Sequence, residues 1–405
     1  MPEPTGLTTP RRVLPPALTI ALIYLVARLV TLGFFVLAAA LAADGTRFGA
    51  DATVQDLAIG WDGQWYWFVA VHGYPAELPL TDAGLVAENQ WAFMPLFPFL
   101  AAGLAPLLGG SWGLAAVLIS LAAGYGATYV LFRMLRVKIG ETAALWAAAF
   151  FAAGPLAAMF QVAYAESLFL FWLFLSLWAV SARRYGWLYP LIVVMGFTRP
   201  GVLAFALFLG LFGIWRWFSR RREPLGRVEV VHIVALGALA TTVGFSWQVI
   251  AALVTGDPQA YLLTELSWRR NWIPGDAGGF IPFDGFVQAA LFWGSSWGWG
   301  QWGGILALLI VLVAIGLALW RAPQVRALGV EVRLWSVSYL VYLLAVFFPQ
   351  SSVFRLLLPL SPLWGAFAVP RSPWWRGGVI VACVAGQWWW IYNMYALGNT
   401  YWQIP

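Results

Sequence analysis

The sequence predicts an all-α polytopic membrane protein with about eleven transmembrane helices. Three observations predict it. Of the 405 residues, 62% are hydrophobic and only 10% are charged, against about 25% charged in soluble domains. Mean hydropathy is +0.78, and the apolar residues gather into runs long enough to cross a bilayer. The charges fall in short breaks between those runs and change sign bias from one break to the next, which is the pattern of alternating membrane sides.

The first element is the apolar run Leu14 to Ala43, preceded by Arg11 and Arg12. It is too long for the apolar core of a cleaved leader and reads as a span at 15–43. Further spans are expected at 113–132, 141–162, 165–182, 186–198, 201–218, 229–254, 302–320, 333–349, 354–370 and 375–395. The segment 91–108 is apolar enough to cross but carries Pro95, Pro98 and Pro106. The charges decide its reading. With 91–108 held at one face as an interfacial or re-entrant piece, 17 basic and 5 acidic residues lie on one side and 5 basic and 12 acidic on the other. The basic side is the cytosolic one. This predicts a cytosolic N-terminus, an external C-terminus and a cell-membrane location. The chain 1–405 is a single membrane unit with two large external loops, at 44–112 and 255–301. The span at 186–198 is short and is expected to be tilted, kinked or partly re-entrant.

Composition also excludes. The net charge of +6 is distributed as a topology signal and not as a nucleic-acid patch. The one cysteine, Cys383, permits no intrachain disulfide and no cysteine metal cluster. No internal repeat is visible, which weakens transporter readings built on duplicated halves.

Chemistry must therefore come from loops and span ends. The richest stretch is Gly60-Trp-Asp-Gly-Gln-Trp-Tyr-Trp-Phe-Val-Ala-Val-His-Gly-Tyr74. It sets Asp62 on a short aromatic helix in the first external loop. The other polar residues assigned to that face include Glu88, Glu166 at the start of the fourth span, Arg199 and Arg355 at span ends, and Arg269 and Arg270 in the second loop. Carboxylates and arginines at one membrane face suit a hydroxyl attacking a phosphate-linked carbon. A carboxylate takes the hydroxyl proton, and arginines hold the phosphate as its charge grows. A phosphate monoester leaves readily, so neither a general acid nor a metal is required, and a divalent metal is not excluded. Each residue also has a plainer role. Asp62 and Glu166 suit helix N-termini. Glu88 suits a solvated loop, the arginines suit interfacial anchors, and His72 suits a structural place. Arg28, inside the first span, has no assigned role. Most of the 27 tryptophans suit interfacial belts.

Trp61-Asp62 with Tyr66 and His72-Gly73-Tyr74, followed by Glu88-x-x-Trp91-Ala-Phe-Met-Pro95 and Pro98, resembles the PIG-V family of mannosyltransferases. So do Tyr164-Ala-Glu-Ser-Leu-Phe169, Thr198-Arg-Pro-Gly201 and Phe354-Arg355 before Pro359. The order holds along about 300 residues. One departure is Gly60, where eukaryotic members are expected to carry a basic residue. The resemblance implies a GT-C fold, a polyprenyl-phosphate-mannose donor and inversion at the anomeric carbon. It implies Asp62 as base and Glu88 and Glu166 as further active-site carboxylates. Trp61, Tyr66 and His72 are candidate substrate contacts. Phosphate contacts at Arg199, Arg355, Arg269 and Arg270 follow from charge and side. The expected partners are that donor, a glycolipid, glycan or protein acceptor, and membrane lipids, with no cofactor and no nucleic acid. A GT-C transferase of another lipid-linked sugar stays open, as does a lipid-linked-sugar transporter.

Overall fold

The computed structural model describes residues 14–270, 279–398 and 403–405. The features expected at Arg11 and Arg12, and at the turn 273–276, lie outside the described residues. Among the described residues the chain is all helical, apart from one bridge between Leu80 and Val86.

The first helix, α1 (Pro16–Leu41), starts with proline in its first turn, where a missing N–H costs nothing. The loop after it carries α2 (Val54–Ile59), α3 (Asp62–His72) and α4 (Leu96–Leu104). Next come α5 (Trp112–Ile139), α6 (Glu141–Ala152), α7 (Glu166–Ser181), α8 (Leu188–Gly196), α9 (Val202–Ser219) and α10 (Arg227–Thr255). The second large loop holds α11 (Ala260–Arg269) and α12 (Asp284–Ser296). The chain closes with α13 (Gly300–Arg321), α14 (Pro323–Arg326), α15 (Val330–Val346), α16 (Val353–Leu356), α17 (Trp364–Ala368) and α18 (Pro373–Ile391). Five of these, α1, α5, α9, α10 and α13, are long and apolar enough to cross a membrane. Helix α5 packs along α6 and α7, and α10 along α8 and α9. Outward faces stay apolar, as with Leu306, Ile310 and Val313 on α13. Such a surface is stable only against lipid.

Two expected spans are not continuous helices. The one at 141–162 is α-helical only to Ala152; the chain then turns through Gly154-Pro155 and makes a short 3₁₀ helix at Ala157–Phe160. Proline has no N–H to continue the ladder and disfavours helix in the residue before it. The carbonyls this frees are taken up from neighbouring helices. Arg28 of α1 donates to the carbonyls of Ala157 (2.5 Å) and Ala152 (2.6 Å). Gln387 of α18 donates to that of Gly154 (3.3 Å). Arg28 is thus a buried clasp on a broken helix, which is how irregular backbone is tolerated at membrane depth. The second exception, 354–370, splits at Pro359 and Pro362 into α16, a 3₁₀ segment at Leu358–Leu363, and α17. Trp335 and Tyr339 of α15 donate to the carbonyls of Pro359 (2.8 Å) and Leu356 (2.7 Å) that lose helical partners there.

The apolar stretch Leu96–Leu108 is only 13 residues long, about 20 Å against a hydrocarbon core of about 30 Å. Leu96 N–H donates to the carbonyl of Phe197, and the Trp112 indole, at the start of α5, donates to that of Pro98.

Ion pairs collect at the two opposite ends of the helices. At one end Lys138 meets Glu331 (3.3 Å), Arg183 meets Glu223 (2.8 Å) and Glu229, and the buried Arg216 meets Glu229 (2.8 Å) and Glu223 (3.0 Å). The other end is reached along α7, whose 16 residues span about 24 Å. There stand Glu166, Arg199, Arg355 and Asp62.

Candidate active site

Asp62 occupies the first turn of α3, but its side chain does not cap the helix. It is presented by a tight turn in which Gly63 N–H donates to the Gly60 carbonyl (3.1 Å). Trp61 sits at the turn's second position with φ 56° and ψ −123°. Those are type II′ angles, which normally demand glycine. A non-glycine residue held there costs about 1–3 kcal/mol, and its side chain supplies the compensation. The Trp61 indole donates to the Met394 carbonyl (3.1 Å), the Arg47 guanidinium lies 4.4 Å over its ring, and Phe48 meets its edge. Trp61 therefore acts as a strut that aims Asp62. A side chain at Gly60 would strike the Phe48 ring and the Asp56 carbonyl, so this position takes glycine. The nearby basic group is Arg47, which also donates to Gln64 (2.6 Å).

From Asp62 a chain of alternating charges runs inward. Arg355 Nη1 donates to Asp62 Oδ2 (2.5 Å) and to Glu166 Oε1 (3.1 Å). The same Glu166 Oε1 pairs with Arg199. Glu166 begins α7 and is almost wholly buried, with 4% of its side chain exposed against 20% for Asp62. Arg199 stands on the α8–α9 connection, where Gly201 takes φ 137° before the first turn of α9. Arg355 lies on α16, its guanidinium 5.6 Å from the Tyr164 ring centre. Four separate parts of the chain thus meet at one cluster. Its two carboxylates and two guanidinium groups balance to zero. Glu166 Oε2 and Arg355 Nε are buried and have no hydrogen-bond partner among the described residues. Buried polar groups are rarely left so, and a bound ligand would satisfy them.

Tyr66 lies one turn along α3 from Asp62 and is buried against Phe93 and Phe97. Burial raises its phenol well above the ordinary value, mainly by desolvation, so it remains a neutral O–H.

The remaining candidates stand elsewhere. His72 is exposed in the last turn of α3 against Trp67 and Phe68, about 15 Å along the helix from Asp62. Arg269 lies over the Phe348 ring (5.8 Å) and feels Asp284. Arg270 donates to the Val86 carbonyl. Both arginines brace the second loop, and neither has a recorded contact with the Asp62–Glu166 cluster. Glu88 is half-buried on the stretch held against α11 by that bond and by Asn89 Nδ2 donating to Thr264 Oγ1 (2.9 Å). Among the described residues no group of three or more His, Cys, Asp or Glu is gathered as a metal site.

Glu265, on α11, was not singled out from the sequence. It lies one helical turn from Tyr261 and feels the charge of Arg199. Its side chain is exposed. The available signal was a lone acid one helical turn from a tyrosine in the second loop. Its proximity to Arg199 left no mark in the sequence.

An apolar groove of about 470 Å³ opens against α16 and α17. Phe354 and Leu357, which flank Arg355 in the chain, line it with Pro155, Trp364, Phe367 and Trp389.

No family model matches the chain, and no curated protein matches it. Among solved structures it is similar to ArnT from Cupriavidus metallidurans bound to undecaprenyl phosphate, at 16% identity and a TM-score of 0.48. That match covers 88% of this chain and 62% of ArnT. It is also similar to the Archaeoglobus fulgidus oligosaccharyltransferase in complex with zinc and sulfate, at 12% identity and a TM-score of 0.44. Here the match covers 94% of this chain and 53% of the other. The chain therefore spans less than two thirds of the length of either protein.

Proposed function

We propose that this protein is a membrane mannosyltransferase. It moves mannose from polyprenyl-phosphate-mannose to an acceptor hydroxyl at the external membrane face, with inversion. The observation that carries the reading is the Asp62–Arg355–Glu166–Arg199 chain at one end of the bundle, with an apolar groove lined by Phe354 and Leu357 of the same segment as Arg355. A base, two phosphate-holding cations and a place for a prenyl tail are the parts such a reaction needs. The choice of mannose rests on the resemblance to the PIG-V family.

In the reaction the acceptor oxygen attacks the anomeric carbon from the face opposite the phosphate. The bond from that carbon to the phosphate oxygen breaks, and its electron pair goes to the phosphate. Asp62 takes the hydroxyl proton, and Arg355 and Arg199 stabilise the second negative charge as it forms. Donor phosphate at Arg355 replaces a carboxylate contact there, which releases Asp62 Oδ2 to act as base.

The test is release of polyprenyl phosphate by purified protein offered matched mannose, glucose and arabinose donors with a glycolipid acceptor. Mannose turnover well above the other two is the expected result. Turnover of another sugar alone would move the assignment to that sugar, and no turnover of any would overturn it.

The membrane orientation is part of the same reading. A cysteine introduced near Arg136 in an otherwise cysteine-free chain is expected to resist impermeant maleimide in intact cells and to react after permeabilisation. Efficient labelling of intact cells would reverse the orientation.

A further inference from the structure

At the end of the bundle opposite Asp62, a cavity of about 620 Å³ opens between the α7–α8 connection and the start of α10. Ligand sites run from about 300 to 1,000 Å³. Its lining includes Arg183, Arg184, Trp187, Val228, Glu229 and His232. The two consecutive arginines differ in their partners. Arg183, at φ 57°, bonds Glu223 (2.8 Å) and Glu229. Glu229 also accepts from Arg216 Nε (2.8 Å) and from the Tyr185 hydroxyl (2.8 Å), and Arg216 holds Glu223 as well (3.0 Å). Arg183 and Arg216 therefore cancel the two acids. Among the described residues Arg184 has no ion pair, and its guanidinium lies 5.3 Å from the Trp178 ring centre. An aromatic face beside a guanidinium leaves its edge donors free for an anion, so one positive charge stands open on the cavity.

His232 supplies a second donor. Its Nδ1 stands 3.1 Å from the Tyr189 hydroxyl, and its ring stacks on that of Tyr185 at 5.9 Å. With Tyr189 donating to Nδ1, Nε2 carries the ring hydrogen and has no partner among the described residues. The rim of the cavity is apolar. Val228 and Trp187 are 71% and 63% exposed, and Val231 and Val234 continue the same exposed face along α10. A free anion gains nothing from that face, whereas acyl chains cover it. Arg220, Arg221, Arg222 and Arg227, exposed on the stretch from α9 into α10, add a positive field around the cavity. We propose that this cavity binds the phosphate of an anionic membrane phospholipid, held by the Arg184 guanidinium and the His232 Nε2–H, with its acyl chains along the valine face of α10. The ligand has the two parts the cavity calls for, a charged phosphate diester and an apolar tail. The proposal does not use the transferase reading, and its test leaves that reading untouched.

The experiment follows lipid binding to the full-length, detergent-solubilised protein by native mass spectrometry, with phosphatidylglycerol or phosphatidylcholine added. Phosphatidylglycerol is expected to bind more tightly, because the choline cation of the other lipid meets the arginines. Arg184→Ala is expected to lose one bound phosphatidylglycerol, its dissociation constant rising about tenfold or more. His232→Phe keeps a ring without the donor and is expected to weaken binding about fivefold, and His232→Gln, which retains an N–H, to recover part of it. Arg136→Ala removes an equal charge at the same end but outside the cavity, and is expected to bind as wild type does. Melting temperatures without added lipid report folding. Arg184 is exposed, so its loss is expected to leave the fold in place, and His232→Phe gives an independent reading. Equal binding of the two lipids would overturn the proposal, as would a loss in Arg136→Ala as large as that in Arg184→Ala, which belongs to the general field and not to a site. Inorganic phosphate that displaces the lipid as readily as phosphatidylglycerol itself would make the cavity a site for free anions and overturn the lipid assignment.

Discussion

Asp62→Asn is expected to stop sugar transfer while the donor still binds. The amide keeps the size of the side chain and can still accept a hydrogen bond from Arg355, but it cannot take the acceptor's proton. Loss of a positioned base costs about 10²–10⁴-fold in rate. Because Asp62 does not cap α3 and keeps 20% of its side chain exposed, the exchange leaves helix and packing in place. Thermal stability in detergent is expected to stay close to wild type. Single-turnover transfer and donor binding, measured separately, check the result. Near-wild-type turnover would remove Asp62 as the base and turn attention to Glu166, whose Oε2 is buried without a partner.

Arg355→Ala is expected to fail in a different way. Its Nη1 holds both Asp62 and Glu166, and the reading places the donor phosphate on the same guanidinium. Removing a buried, charge-assisted contact to the phosphate is expected to cost about 2–4 kcal/mol, shared between donor binding and leaving-group stabilisation. Arg355→Lys retains the charge but not the planar fork, so it is expected to recover part of the donor binding and little of the rate. The measurement is donor affinity beside melting temperature. If Arg355 were only a counter-ion for the two acids, Arg355→Ala would lower the melting temperature and leave donor affinity unchanged. A fall in donor affinity at least as large as the fall in turnover places the phosphate on Arg355.

The membrane class and most of the helices were legible in the sequence. Composition and run length are local quantities, and a bilayer acts on each run separately. The separation of the charges was legible for the same reason. The helices carry Lys138, Arg183 and Arg216 to one end and Asp62, Glu166, Arg199 and Arg355 to the other. The interruptions at Gly154-Pro155 and Pro359 were written in the chain. What made them tolerable was not, because the compensating donors come from distant helices: Arg28 and Gln387 for one, Trp335 and Tyr339 for the other.

Residue type and side pointed to Asp62, Glu166, Arg199 and Arg355 together, and also to His72, Arg269 and Arg270, which the fold directs elsewhere. Sequence tells which charges share a face but not which share a cavity. A helix turns its side chains by about 100° per residue, so neighbours such as Arg269 and Arg270 diverge while Asp62 and Arg355, 293 positions apart, come within 2.5 Å. The chain by itself determined the class of protein and the identity of its polar groups. Only the tertiary structure decided their pairing and the strut that Trp61 makes beneath Asp62. Each of these depends on how helices far apart in the chain are rotated against one another, and that rotation is set by packing in three dimensions.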